Sequence, residues 1–422
     1  MDIRRLVLGG LLAATTSCAA RASDPPADQG PARAVFPMAT RGTLATVSGT
    51  PVIDGGFGSA IVAAGEPGLF LALSDRGPNY DVAEDAKAFP RPDFVPRVGW
   101  FRRADSTLEL VRVIELRSAP GVPFSGLPNP QGRGGTGESA LTVDGTPLTP
   151  DPNGLDPEGV HLSTDGSFWI ADEYGPHLLH FDSTGLLIER FSPFDRSSLP
   201  AVLARRRPNR GLEGLTGTGD GAMLIAVMQS PLDNPKAAGR ASIHVRVVVF
   251  EPATRRSRQY LYPVDRPEFF LSDVVRVTDR ILLVIEHDGL APRGDPPATQ
   301  KKIYRIDLGG ATDVSDPGNG PAGLLVNGKT LEQLTAAELA SAGIRPVGKT
   351  LIADLLALGY SHDKPEGLVI LSPTEIGVVN DDDFGITDGP GPGGRPVPKV
   401  LPGSPVVDAA TFWIVRLATA LW

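Results

Sequence analysis

A chain of 422 residues, 41% hydrophobic and 21% charged, can bury a sizeable core and is not generally disordered. Its formal net charge of -9 argues against nucleic acid and anionic membrane surfaces as partners. The 49 glycines and 41 prolines are scattered among short apolar runs, a pattern that suits a protein with many turns.

Residues 1–22 read as an export signal. Arg4 and Arg5 precede an apolar stretch, Leu6 to Ala14, that is too short to span a bilayer, and Ala20-Arg21-Ala22 offers a cleavage site. A periplasmic or secreted protein with no transmembrane span in its mature chain is expected. The arginine pair also partly fits a twin-arginine signal, and Cys18, the only cysteine, allows a lipid anchor instead. In every case the mature chain can form no internal disulfide. Residues 23–40 are expected to be a tether and residues 41–422 one domain.

One hairpin recurs along that domain. Its first copy is Gly58 to Val62, a turn at Glu66-Pro67-Gly68, and Leu69 to Arg76. The clearest copy is Asp156-Pro157-Glu158-Gly159-Val160-His161-Leu162, an Asp165-Gly166 turn, then Ser167 to Glu173. Leu212-Glu213-Gly214-Leu215 turns at Asp220-Gly221 and runs to Gln229. Ser272 to Val277 turns at Thr278-Asp279-Arg280 and runs to His287. The last copy is Lys364-Pro365-Glu366-Gly367-Leu368, a turn at Ser372-Pro373-Thr374, and Ile376 to Asp381. In the second and last copies the first terminal polar residue follows the glutamate by 14 positions.

A second strand pair starts downstream of each copy, at Trp100, His180, Val248, Tyr304 and Phe412. Two hairpins per unit form a four-stranded blade, so the expected fold class is an all-β propeller with short helical insertions. Five blades are visible. A sixth is expected where the region around Arg41 to Val52 joins the C-terminal strands and removes the free edges. Pro120 to Pro152 reads as a loop insertion. Thr330 to Leu339 has helical leucine spacing, and Lys349 to Leu358 reads as another short helix outside the ring. The competing architecture is a two-domain β protein with chance Glu-Gly turns.

In a propeller, equal repeat positions lie at equal heights around the axis. Glu158, Glu213 and Glu366 are therefore expected to form one ring. Asp75, Asp172, Glu173, Glu286 and Asp381 form a neighbouring cluster at the same end of the hairpins. Crowded carboxylates repel, and a divalent cation relieves that repulsion. Oxygen ligands without cysteine favour calcium or magnesium over zinc. Calcium is the expected cofactor, with Asp75, Asp172, Glu173, Glu286, Asp381 and Asp382 as ligands, and Asn380 to Asp383 as the densest ligand run. Glu158, Glu213 or Glu366 would serve as the base that activates water. Arg76 or His287 would stabilise developing charge or protonate the leaving group. A structural role for the glutamates is the alternative, with each carboxylate capping a turn whose φ the following glycine supplies. There is no Gly-x-Ser-x-Gly elbow, phosphate loop, dinucleotide fingerprint or His-x-x-x-His pair.

The segments Asp156–Glu173, Asn209–Gly214 and Lys364–Asp383, with Ser74 to Asn79, resemble the phytase-like family named for esterase-like activity of phytase. The resemblance runs from about Gly55 to Leu417 and implies a propeller with repeated acidic positions and hydrolysis of phosphodiesters or esters. Two functions are expected from it and from the acids. The first is an exported, monomeric, metal-assisted hydrolase of small phosphoesters or other esters. The second is a non-catalytic, calcium-stabilised propeller that binds a sugar, peptide or envelope component at the same mouth.

Overall fold

The computed structural model describes residues 34–422 apart from 136, 196–198, 390 and 392–393. The expected export signal, Cys18 and residues 23–33 of the expected tether lie outside the described residues.

Five antiparallel sheets of four strands carry the fold among the described residues. Blade one comprises Ala60–Ala63, Leu69–Leu73, Arg97–Arg103 and Leu108–Glu115; blade two Pro157–Leu162, Phe168–Asp172, His177–Phe181 and Leu187–Phe191. Blade three comprises Leu212–Gly217, Leu224–Met228, His244–Glu251 and Arg256–Pro263; blade four Phe270–Arg276, Ile281–His287, Lys301–Asp307 and Gly348–Asp354. Blade five begins with Pro365–Ser372, Glu375–Asn380 and Thr411–Arg416. The N-terminal strand Ala34–Pro37 completes it, pairing Ala34 with Ile414 and Pro37 with Thr411. The first strands touch in chain order around a cycle, and that of blade five touches that of blade one. Among the described residues five four-stranded sheets thus stand in a ring, the arrangement of propeller blades.

Three expectations are corrected here. The sixth blade does not exist among the described residues: Thr43–Val47 and Thr50–Ile53 pair only with each other. Ala34–Pro37, expected within the tether, instead forms the outer strand of blade five. Lys349 to Leu358 does not begin as a helix, because Gly348–Asp354 is the outer strand of blade four, paired with Lys301–Asp307. Its β-branched Thr350 and Ile352 suit that pleated edge. The helical insertion is confined to Ala336–Ser341 and a short 3₁₀ turn at Leu331–Gln333.

The second strands are apolar on both faces because each blade is packed between two others. Phe168, Ile170 and Ala171, and Leu224 to Met228, are all buried. The Asp-Gly hairpin turns behave as the sequence implies, with Gly166 at φ 86° and Gly221 at φ 68°. The glycines of the Glu-Gly pairs do something else. A Cβ on Gly159 would stand 2.2 Å from the carbonyl oxygen of Glu213, and one on Gly214 would stand 2.3 Å from the nitrogen of Val274. Neither has a positive φ. These glycines let the inner strands of adjacent blades approach closely, which is what brings the preceding glutamates together.

Candidate functional site

Strand parity builds the mouth. At the end of each second strand one residue lines a central cavity: Asp75, Glu173, Gln229, His287 and Asp381. The residue before each, Ser74, Asp172, Met228, Glu286 or Asn380, is fully buried and does not line it. Neighbouring residues on a strand point to opposite sides, so two adjacent polar residues cannot both reach the mouth.

The start of each first strand adds two more positions. In blades two to five these are Asp156 and Glu158, Gly211 and Glu213, Phe270 and Ser272, Lys364 and Glu366. Backbone pairing fixes the equivalence. Asp156 accepts from Glu173 N–H at 2.9 Å, Gly211 from Gln229 N–H at 3.0 Å and Lys364 from Asp381 N–H at 3.1 Å, while Phe270 lies opposite His287. A bulge between Leu271 and Val274 puts Ser272 and Asp273 where blade three has Glu213 and Gly214. Blade four thus has no acid at this height.

The cavity measures about 260 Å³ and is walled by nine carboxylates and by Arg76, Lys87, Arg210 and Lys364. Clefts of about 670 and 570 Å³ open elsewhere, between Leu110–Glu115 and Thr184, and beside Arg255–Gln259, without such convergence. Glu158, Glu213 and Glu366 all face the central cavity.

Blade two supplies the tightest acidic group. One oxygen from each of Asp156, Glu158 and Glu173 lies within 4.8 Å of the others. Burial raises the Glu158 pKa well above the usual range, and Glu213, Asp156 and Glu366 add to it. Burial and then Asp156 raise Glu173 well above it too. Burial raises Asp156 despite the nearby Arg76 charge. Among the described residues nothing donates a hydrogen bond to Glu158 or Glu366. An all-oxygen set of crowded, poorly solvated carboxylates matches a hard divalent cation such as calcium.

Arg76 is held through Nη1 and Nε. Its Nη1 donates to Tyr174 Oη at 3.0 Å and to Asn209 Oδ1 at 3.1 Å, and its Nε lies 3.5 Å from Asp156 Oδ2. These contacts hold Arg76 against Asp156, which it helps to orient, and Arg76 itself lines the central cavity.

Blade five is an ion-pair cluster. Lys364 Nζ and Lys399 Nζ each lie 2.6 Å from an oxygen of Asp383. Burial alone would raise Asp383, but the two ammonium groups overcome it and hold the acid below the usual carboxylate range. Asp383 and Phe384 both have left-handed backbone, φ 47° and 55°. Such non-glycine residues cost about 1 kcal/mol or more each, and Asp382 secures the turn. Its Oδ1 accepts from Phe384 N–H at 3.2 Å and its Oδ2 from Ala410 N–H at 3.0 Å.

Three expected metal ligands are therefore relocated. Asp382 is the buried clasp of that turn. Asp172 accepts from the backbone of Asp156, Tyr174 and Gly175 and from His177 Nδ1 at 2.8 Å. Glu286 accepts from Tyr262 Oη at 2.7 Å and pairs with Lys349 Nζ at 2.8 Å between blades three and four. Asp75, Glu173 and Asp381 do line the mouth.

His287 lines it as well. Its Nδ1 accepts from Gly289 N–H at 3.1 Å, so the neutral ring carries its proton on Nε2. Burial and then Lys301 hold its pKa well below the ordinary value, and it stays neutral at physiological pH. Arg210 stacks on Phe270 at 4.0 Å and donates through Nη1 to Gln229, which in turn donates to Glu213 Oε1. Asp156, Lys364, Gln229, Asp388 and Phe270 had not been singled out from sequence. The signal was present for three of them: Asp156, Phe270 and Lys364 each stand two residues before the Glu or Ser of their repeat.

The family described as esterase-like activity of phytase matches residues 54–384. The chain belongs to this phytase-like family. A fungal relative, an uncharacterized secreted protein of Arthroderma benhamiae, is 30% identical over 139 residues. That match spans 27% of the phytase-like chain and only 25% of the relative. Among solved structures, the PQQ-bound aldose sugar dehydrogenase of Streptomyces coelicolor is 10% identical, with TM-score 0.36 over 92% of this chain and 99% of that one. Virginiamycin B lyase from Staphylococcus aureus is 10% identical, with TM-score 0.30 over 84% of this chain and 94% of that one. The propeller assignment rests on strand order and ring closure, not on these distant likenesses. No helix among the described residues is long and apolar enough to cross a membrane.

Proposed function

We propose that this phytase-like propeller is an exported, metal-assisted hydrolase of phosphoesters or related esters. The convergence of Asp156, Glu158 and Glu173, with donor oxygens within 4.8 Å of one another, carries this reading. The esterase-like activity for which the family is named supports the reaction class. The N-terminal export pattern and the secreted relative support a periplasmic or extracellular location.

Asp156, Glu158 and Glu173 would hold calcium, which supplies Lewis acidity toward a phosphoryl or acyl oxygen when bound. Asp75 and Asp381 stand further round the mouth. Glu213 in its ionised form is the proton acceptor: Oε1 takes the Gln229 N–H, which leaves Oε2 to accept a proton from water, and burial makes the carboxylate more basic than usual. Arg210 meets negative charge on the substrate, and the Nε2–H of His287 donates a hydrogen bond to the leaving oxygen, which takes its proton from solvent. Arg76 keeps Asp156 in place.

The test is turnover of chromogenic phosphomonoester, phosphodiester and acyl ester substrates by the mature protein, with calcium or with chelator. At least one substrate should be hydrolysed, chelator should abolish the activity, and Glu213→Gln should lower kcat by about 10²-fold or more. No turnover of any of the three, with calcium still raising the melting temperature, would replace this reading with a binding propeller.

A further inference from the structure

The five blades present unequal chemistry at equal heights. Blade two offers three acids, and blade five offers a lysine with Glu366 and Asp381. Blade four offers Phe270 and His287, neither of them charged. Phe270 is the only Phe, Tyr or Trp ring lining the cavity among the described residues. It is bracketed, with the Arg210 guanidinium on its face at 4.0 Å and the His287 ring edge-on at 5.9 Å. Blade four is not adjacent to blade two, so a ligand held by the acids at one end reaches this wall at the other.

We infer that the blade-four wall, with Phe270, Arg210 and His287, is the subsite for the organic substituent of the ester and that it selects a planar aromatic group. A guanidinium plane already stacked on one ring presents its other face to a second, where the attraction between cation and π-cloud adds to burial. The tie from Arg210 Nη1 to Gln229 holds that plane in orientation. The edge of the neutral His287 ring closes the far side, with Nε2–H as donor to the ester oxygen that joins the substituent to the phosphoryl or acyl centre. Small saturated substituents gain none of this stacking.

This inference rests on the proposed phosphoester reading, and binding separates the two. Calcium-loaded protein is titrated calorimetrically with phenylphosphonate and with methylphosphonate, which share a head group and are not hydrolysed. The wild type should prefer the phenyl ligand by about tenfold. Phe270→Ala should reduce that preference to about twofold or less, leaving methylphosphonate and calcium affinity unchanged. Arg210→Lys, which keeps the charge and loses the plane, should also reduce the preference. Equal binding of both phosphonates by the wild type, or an undiminished preference in Phe270→Ala, would overturn the subsite while leaving the phosphoester reading standing. Binding of neither phosphonate by protein that binds calcium would overturn both.

Discussion

Arg76 grips Asp156 of the next blade twice: its backbone N–H donates to Oδ1 at 3.2 Å, and its Nε lies 3.5 Å from Oδ2. Asp156 is one third of the acidic trio, so the link between blades one and two also sets the orientation of a proposed metal ligand. Arg76→Lys preserves the positive charge and removes the planar fork. Partners that orient a metal ligand are commonly worth 10–100-fold in affinity, so calcium binding should weaken by about tenfold. Calorimetric titration of the two proteins checks this. An unchanged affinity would mean that Asp156 is positioned by its strand alone.

The repeat was readable because a propeller writes the same hairpin several times, and copies of Glu-Gly or Asp-Gly survive local variation. Strand parity was lost wherever two polar residues stand side by side. Asp172-Glu173 and Glu286-His287 look alike in composition, yet only Glu173 and His287 reach the mouth. The neutral members of the ring were harder to recognise, since Phe270 shows itself only by its place in the repeat and Gln229 carries no charge to mark it. The missing sixth blade has a different cause. Closure by one N-terminal strand of four residues, Ala34–Pro37, leaves almost no periodic pattern to detect.

Parity can be tested by comparing neighbours. Glu173→Gln should weaken calcium binding by about tenfold or more, because it removes one ligand charge. The same change should stabilise the calcium-free protein, because one buried like charge disappears. Asp172→Asn should do the reverse, leaving calcium affinity within about twofold. It should also lower the melting temperature, because an amide has one acceptor oxygen where three backbone donors and His177 now share two. Equal effects of the two substitutions on calcium would refute the assignment of Asp172 to the blade interior.

The inner-strand glycines make a steric prediction. At Gly159 an added Cβ meets the Glu213 carbonyl at 2.2 Å, backbone against backbone, and no rotamer change relieves it. Gly159→Ala should cost about 2–3 kcal/mol and drive apart the two glutamates that flank the contact. Gly348→Ala is the control, since nothing lies within 4 Å of its added Cβ. Chemical denaturation of both proteins measures the difference. Comparable stability in the two would mean that the blades tolerate a wider spacing than their close approach implies.

The mouth also dictates how stability varies with pH, and the sign follows from the direction of the shifts. Burial lifts Asp75, Glu158, Glu173, Glu213, Glu366 and Asp381 well above their ordinary range, and neighbouring acids reinforce it. Each such group keeps a proton in the fold at pH values where the unfolded chain has lost it. Its stabilising contribution is complete below the unfolded value, about pH 4, and is lost as the pH rises through the folded value. Every proton so retained tilts the curve by about 1.4 kcal/mol per pH unit. Asp383 has the opposite shift, but its contribution is lost only as the pH falls below about 4. Between pH 5 and pH 8 the chelated protein should therefore lose stability, with a melting temperature lower at pH 8 by at least about 3 °C. Calcium binds the deprotonated carboxylates, so saturating calcium should flatten or invert that slope. Melting curves across this range, with chelator and with calcium, read both slopes. A chelated protein that gained stability toward pH 8 would show that the acids of the mouth are already relieved of their mutual repulsion without any metal.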